Sequence, residues 1–279
     1  MKFTKMHGAG NDFIIINNIE EKIPQEKAGQ LAKKLCHRKL SIGADGLMLV
    51  EPPVGGGDYR MLFINADGSI GEMCGNGARC IARYGYEKGL AGETQRIETT
   101  AGIVIGHRLQ QRQYQVRLND ISRMEQNRTA QVDGREYPLT YVELGNPGLP
   151  HIAVEMAGLQ TADRGVLSGL GRALRWDTQF EKGTNVNFYE IIGEDELVEL
   201  TYERGVEDFT MACGTGTGSV VAVLTKEKKV SGRKVKVHVP GGELTVDIVC
   251  DEAGEIRDIL LTGPTNIVAE GEVLDEDLE

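Results

Sequence analysis

The chain has 279 residues, 40% apolar, 26% charged and 5% aromatic, with a net charge of −11. The apolar share excludes a disordered chain, and the 36 glycines, nearly double the usual share of about 7%, carry no G-X-Y period and exclude collagen. No apolar run reaches the roughly 18 residues of a membrane helix, and Lys and Arg are scattered without a basic stripe, which argues against nucleic-acid and membrane partners. In chain order, Phe13-Ile14-Ile15-Ile16 is strand-like and too short for the apolar region of a signal peptide. A cytoplasmic protein of one large or two medium domains is therefore expected. Short alternating strands are predicted at 59–64, 95–98 and 113–118. Between the first two, Ala78, Ile81, Ala82 and Gly85 follow helical spacing after Cys74, with Gly89 as the stop. Strands are predicted again at 187–192, 198–202, 235–239 and 256–261. The continuously apolar run 220–224 follows Cys213 and ends in Lys226-Glu227-Lys228-Lys229, cations that suit the last turn of a helix. The acidic end, 270–279, reads as a solvated tail, and the single tryptophan, Trp176, as core.

Five cysteines, Cys36, Cys74, Cys80, Cys213 and Cys250, form no CxxC, so neither a disulfide framework nor a zinc site is expected. Cys36, Cys80 and Cys250 read as structural. Cys74 and Cys213 differ from them, because each opens a Cys-Gly-x-Gly: Met73-Cys74-Gly75-Asn76-Gly77 and Ala212-Cys213-Gly214-Thr215-Gly216. They stand 139 positions apart, half the chain. The same offset relates Gly102 to Gly241, each before a β-branched stretch, Phe13 to the strand-like Ile152-Ala153-Val154, and Asn65 to Arg204. One offset shared by four features predicts an internal duplication, with many strands and one glycine-started helix in each half. That repeat decides the run after Cys213 as a buried helix, although β-branched propensity alone also permits a strand.

A cysteine before a Gly-rich helix start faces unpaired N–H groups and the positive end of a dipole, which lower a thiol pKa. The same N–H groups form a nest for a carboxylate or phosphate. Two such sites facing each other could remove a proton from one face of a carbon and deliver one to the other, inverting a stereocentre. The run Gly214-Thr215-Gly216-Thr217-Gly218 lacks the full dinucleotide spacing G-x-G-x-x-G.

Several motifs in order resemble the signatures of the diaminopimelate epimerase family: Lys5-Met6-His7-Gly8-Ala9-Gly10-Asn11-Asp12-Phe13, Asn65-Ala66-Asp67-Gly68-Ser69, Cys74-Gly75-Asn76-Gly77-Ala78-Arg79-Cys80, Gly183-Thr184-Asn185-Val186-Asn187-Phe188, Tyr202-Glu203-Arg204-Gly205 and Ala212-Cys213-Gly214-Thr215-Gly216. The resemblance implies an α+β fold of two pseudo-symmetric domains, each a β-barrel-like mixed sheet wrapped around a central helix. The N-terminal half, 1–122 with 264–279 returning to it, would carry Cys74; the C-terminal half, 123–263, would carry Cys213. It implies epimerisation of LL-2,6-diaminopimelate to the meso form for lysine and peptidoglycan precursors, without cofactor or metal, by a small-molecule enzyme working as a homodimer. By resemblance Cys74 and Cys213 are the acid/base pair, and the substrate is held by Asn11, Asn65, Gly75, Asn76, Asn146, Asn185, Glu203, Arg204, Gly214 and Thr215. His7 and Asp12 read as structural.

The family pattern Asn-Pro-His is altered to Gly145-Asn146-Pro147-Gly148-Leu149-Pro150-His151, so Leu149 aligns with the ligand position and Asn146 serves only if the loop is rearranged. Gly46 stands where a Gln is common, and Glu207-Asp208-Phe209 where the family tends to have Gly-Glu. Two alternatives stay open: a related racemase for another amino acid, and a non-catalytic anion-binding or redox-thiol protein.

Overall fold

The computed structural model describes residues 1–71, 73–274 and 276. It divides into two units, Met1–Val116 with Gly263–Glu279, and Arg117–Thr262.

The first unit runs β1 (Lys2–Gly8), β2 (Asn11–Asn17), α1 (Asn18–Glu21), α2 (Gln25–Leu35), β3 (Gly46–Glu51), β4 (Tyr59–Asn65), α3 (Gly75–Glu87), β5 (Thr94–Thr99), β6 (Gly102–Arg108) and β7 (Gln113–Arg117). The pairings β1–β2, β3–β4, β5–β6 and β6–β7 are antiparallel, and β2–β3 and β4–β5 are parallel. Strands β2 and β3 are apolar without alternation because both faces are covered. Phe13, Ile15, Met48 and Val50 pack with Ile81 and Ala82 of α3. Ile14, Ile16, Leu47 and Leu49 pack with Ala28, Ala32 and Leu35 of α2.

The second unit runs β8 (Ile121–Val132), β9 (Arg135–Leu144), β10 (Leu149–Glu155), α4 (Arg164–Arg175), β11 (Asn185–Gly193), β12 (Glu196–Glu203), β13 (Asp208–Phe209), α5 (Gly214–Lys226), β14 (Val235–Val239), β15 (Gly242–Cys250) and β16 (Ile256–Pro264). Its β9–β10, β11–β12, β14–β15 and β15–β16 pairs are antiparallel, and β10–β11 and β12–β14 are parallel. This is the pairing scheme of the first unit, strand for strand. Helices α3 and α5 each have 13 residues and begin at Gly75 and Gly214; α2 and α4 begin at Gln25 and Arg164. Both pairs obey the 139-residue offset. The last strand, β17 (Asn266–Glu272), lies antiparallel beside β1, the place that β8 takes beside β9.

Several expectations need correction. Each unit has a second long helix, α2 or α4, besides the glycine-started one. Their buried residues, Ala28, Ala32 and Leu35, and Leu167, Leu170 and Leu174, recur at helical spacing and close the other face of the sheet. Residues 270–272 are not a solvated tail, because the backbone of β17 is paired to β1; 275 and 277–279 lie outside the described residues. Trp176 is 62% exposed. It caps α4, and the Arg175 guanidinium lies 4.1 Å from its ring centroid. Cys36 and Cys80 are buried, but Cys250 is exposed at the end of β15 and packs in no core. Among the described residues no helix is long and apolar enough to cross a membrane.

Candidate active site

In the first unit Cys74 is the N-cap of α3, with extended backbone (φ −112°, ψ 115°). Its Sγ accepts the Gly77 N–H at 3.4 Å and donates to Asn11 Oδ1 at 3.3 Å. The first contact favours the thiolate and the second the thiol. Asn11 has no choice of orientation. Its Nδ2 donates to Asp45 Oδ2 at 2.5 Å, and a carboxylate only accepts, so the amide oxygen must face the cysteine. Asp45 is held in turn by the Asp12 N–H at 3.1 Å and by Arg38, which bridges it to Asp12 at 2.7 Å from each. Lys5 pairs with Asp12 at 2.7 Å. Burial works against the Asp12 carboxylate, but hydrogen bonds and charge from Arg38 and Lys5 outweigh it and hold its pKa at about 2. Asp12 is thus held in ion pairs with Lys5 and Arg38. His7 Nε2 lies 3.1 Å from Asn266 Nδ2 on β17.

Behind this helix start, Arg79 is fully buried. It donates to Asn76 Oδ1 at 2.9 Å and to the Gly75 carbonyl at 3.4 Å. Burial lowers its pKa to about 10, with Cys80 and Cys74 opposing that fall. It therefore supplies positive charge beneath the first turn. At Gly77 a Cβ would come within 2.2 Å of Met48 Cε, the end of a flexible side chain that would have to shift. Its counterpart Gly216 would meet Asn187 Oδ1 at 2.1 Å. Both helix starts are pressed onto the sheet by this closeness.

In the second unit Cys213 is the N-cap of α5 (φ −116°, ψ 102°). Its Sγ lies 3.6 Å from Thr215 Oγ1. The sequence reading expects the dipole to lower this thiol, and the balance here is the reverse. Burial pushes the Cys213 thiol well above its usual range and Glu203 adds to the rise, outweighing the Thr215 hydroxyl and the Gly216 N–H. Desolvation of a buried anion exceeds what one helix turn returns, so Cys213 rests as a thiol. Asn185 is buried, donating Nδ2 to the Pro150 carbonyl at 3.0 Å and accepting the Arg204 N–H on Oδ1 at 2.8 Å. Its amide anchors the Arg204 backbone. The Arg204 side chain, half-buried, donates to the Lys182 carbonyl at 3.3 Å. His151 is fully buried, its pKa lowered to about 3 by desolvation and by Arg204.

The residues singled out from sequence fall at matching places in the two repeats. Asn11 opens β2, Gly46 opens β3, Asn65 closes β4, and Cys74, Gly75 and Asn76 start α3. Asn185 opens β11, Glu203 closes β12 and is followed by Arg204, and Cys213, Gly214 and Thr215 start α5. Asn65 donates Nδ2 to Ser69 Oγ at 2.9 Å. Asn146 stands apart on the exposed turn between β9 and β10, while Leu149 opens β10 opposite Leu144. Sequence reasoning missed Asp45, Arg38, buried Arg79 and buried Glu199. Glu199 sits in an alternating strand, where a charge reads as solvent-facing, and only tertiary packing reveals it as interior. Among the described residues no group of three or more His, Cys, Asp or Glu is placed to hold a metal ion.

A model of the family described as diaminopimelate epimerase matches residues 3–119 and 144–268. The diaminopimelate epimerase of Aquifex aeolicus is 37% identical over 289 residues, covering 100% of both chains. That of Archaeoglobus fulgidus is 37% identical over 264 residues, covering 90% of each. Among solved structures, a Bacillus anthracis phenazine biosynthesis protein of the PhzF family superposes with TM-score 0.77 at 17% identity, covering 98% of this chain and 99% of that one. A hydroxyproline epimerase from Agrobacterium vitis superposes with TM-score 0.72 at 16% identity, covering 98% and 90%. These two structures speak for the two-domain pseudo-symmetric α+β fold alone.

Proposed function

This chain belongs to the diaminopimelate epimerase family, and from that premise we propose that it interconverts LL- and meso-2,6-diaminopimelate with Cys74 and Cys213 as the two proton-transfer groups. It is an isomerase. The observation that carries the cysteine assignment is the repeat itself: 139 positions apart, each cysteine is the N-cap of a 13-residue helix that starts on glycine and whose first N–H groups have no acceptor within the helix.

The α-proton of an amino acid is very weakly acidic, so the developing carbanion needs stabilisation. N–H groups of Gly75 and Asn76 on one helix, and of Gly214 and Thr215 on the other, serve as donors to the α-carboxylate as it takes on enolate character. A thiolate removes the α-proton from one face and a thiol delivers a proton to the other. The carbon ends inverted and the two sulfurs exchange protonation states, with no electron transfer. Cys74, with one partner favouring each state, suits the thiolate role first; Cys213, held as a thiol, suits the donor role. Arg204 offers a two-pronged donor to the distal carboxylate, with Asn185 fixing its backbone, and Asn65 is assigned to the same end of the substrate. Free thiols at both helix starts suit a reducing, cytoplasmic setting, and a homodimer is part of the same proposal.

Incubation with LL-2,6-diaminopimelate in deuterated water tests the reading. Inversion with deuterium uptake at the α-carbon supports it. Uptake only with another amino acid would favour a related racemase, for which Leu149 is the motive. No exchange with any amino acid would overturn the enzyme assignment. Cys74→Ala and Cys213→Ala should each lower the rate by about a thousandfold or more with circular dichroism unchanged.

A further inference from the structure

Beneath Cys213 lies a carboxyl group that the proton transfer above does not use. Glu199, on β12, is 0% exposed. Its Oε2 lies 2.5 Å from the Thr217 hydroxyl in the first turn of α5, and that hydroxyl lies 3.1 Å from the Cys213 carbonyl oxygen. Thr217 has one proton to give, and the carbonyl only accepts. If Glu199 is a carboxylate, one of these two contacts sets acceptor against acceptor. If it is a carboxylic acid, both become hydrogen bonds, running from Glu199 to Thr217 to the Cys213 carbonyl. The neighbouring Thr201 hydroxyl donates to Asn187 Oδ1 at 3.0 Å, an orientation forced by Asn187 Nδ2 donating to the Ile152 carbonyl at 2.9 Å. Among the described residues Glu199 Oε1 has no hydrogen-bond partner. An ionised carboxylate in the interior is strongly disfavoured, and burial raises its pKa to about 8, outweighing the Thr217 and Thr201 hydroxyls that act to lower it.

In the other repeat a different residue donates to a first-turn carbonyl, one position further along: Arg79 donates to the Gly75 carbonyl. The position 139 further on is Gly218, which has no side chain to do this.

We propose that Glu199 is a positioning residue for the C-terminal half-site: as a neutral acid it donates through Thr217 to the Cys213–Gly214 peptide, polarising the Gly214 N–H and holding the cap that carries Cys213. A hydrogen bond to a peptide oxygen strengthens the N–H of the same peptide as a donor, and the Gly214 N–H is one of those assigned to the α-carboxylate. On ionisation Thr217 turns its proton to Glu199, the chain breaks, and a negative charge faces the Cys213 sulfur, whose pKa it raises. The titratable groups around it are few. Cys213 faces it from α5. On β11 its register partner Tyr189 directs its hydroxyl to Glu155 at 3.4 Å. On β14 His238 is turned to Glu196 at 2.6 Å, and His151 on β10 is held neutral.

This rests on the reading that Cys213 is a proton-transfer group. The test follows kcat with LL-2,6-diaminopimelate across pH for the wild type, Glu199→Leu, Glu199→Gln and Thr217→Val, alongside the infrared carboxylic-acid C=O band of the intact protein. Glu199→Leu should lower kcat about tenfold, less than the hundredfold or more that follows loss of a direct oxyanion donor. Thr217→Val should do the same, and the double variant should cost no more than either single one. Glu199→Gln, whose amide N–H still donates to Thr217, should recover most of the loss and lack the fall in kcat that ionisation of Glu199 should produce in the wild type above about pH 8. The wild type should show a carboxylic-acid band at pH 7 that Glu199→Gln lacks. A Glu199→Gln variant no better than Glu199→Leu, an alkaline limb unchanged by it, or no such band, would each overturn the proposal. If Cys213→Ala keeps full exchange activity, it is the assignment of Cys213 that falls.

Discussion

The Asn11 amide oxygen accepts the Cys74 thiol at 3.3 Å, and its orientation is dictated from behind by Asp45. A residue expected at the distal end of the substrate is therefore also a partner of the sulfur. In Asp45→Asn the partner can donate as well as accept, so Asn11 is free to flip and offer its NH₂ to the sulfur. That favours the thiolate, and the pKa of Cys74 should fall. Iodoacetamide labelling of the Cys74 peptide against pH, read by mass spectrometry in a Cys213→Ala background, should show its midpoint moved to lower pH. An unmoved midpoint would mean that Asp45 does not govern the thiol through Asn11.

The two cysteines should also differ in reactivity in the resting wild type. Cys74 is half-buried with an N–H at its sulfur, whereas Cys213 is buried and held as a thiol by desolvation and Glu203. Alkylation at pH 7 should modify Cys74 first, at least about tenfold faster. Equal rates would show that Cys213 is neither shielded nor held protonated.

Gly77→Ala and Gly216→Ala place the same methyl at equivalent points of the two repeats, with different expected results. The added Cβ meets the end of a flexible Met48 side chain in the first case and the hydrogen-bonded amide of Asn187 in the second. Overpacking costs about 1–3 kcal/mol, and Gly216→Ala should lie at the upper end because Asn187 cannot move without losing its bonds to Ile152 and Thr201. Urea denaturation of both variants gives the comparison; an equal or smaller loss for Gly216→Ala would contradict it.

Asp12 links folding to acid. Its pKa in the folded chain is about 2, below the unfolded value of about 3.9, so its ion pairs with Lys5 and Arg38 stabilise the fold fully above that unfolded value. The contribution is lost as pH falls from about 4 towards about 2. The urea midpoint of the wild type should therefore drop more steeply over this window than that of Asp12→Asn. Parallel slopes would remove Asp12 from the acid response.

Local chemistry determined what the sequence alone could tell. The paired Cys-Gly-x-Gly segments, their 139-residue offset and the apolar runs after them are properties of neighbours along the chain, so the duplication, the two glycine-started helices and most strands were legible before any coordinates. Helices α2 and α4 also carried a readable period, in Ala28, Ala32 and Leu35 and in Leu167, Leu170 and Leu174, but polar residues in α2 and the helix-disfavouring Gly165, Gly169 and Gly171 in α4 hid it. What tertiary structure alone decided is solvation and orientation. The environment of a titratable group is set by segments remote in sequence. Asp45 turns Asn11 toward Cys74 from another strand, desolvation reverses the expected fall of the Cys213 thiol, and Glu199, written as a charge in an alternating strand, becomes an interior acid because α5 covers it. No count of residue types records which groups lose their water on folding, and that loss decides which of them hold a proton.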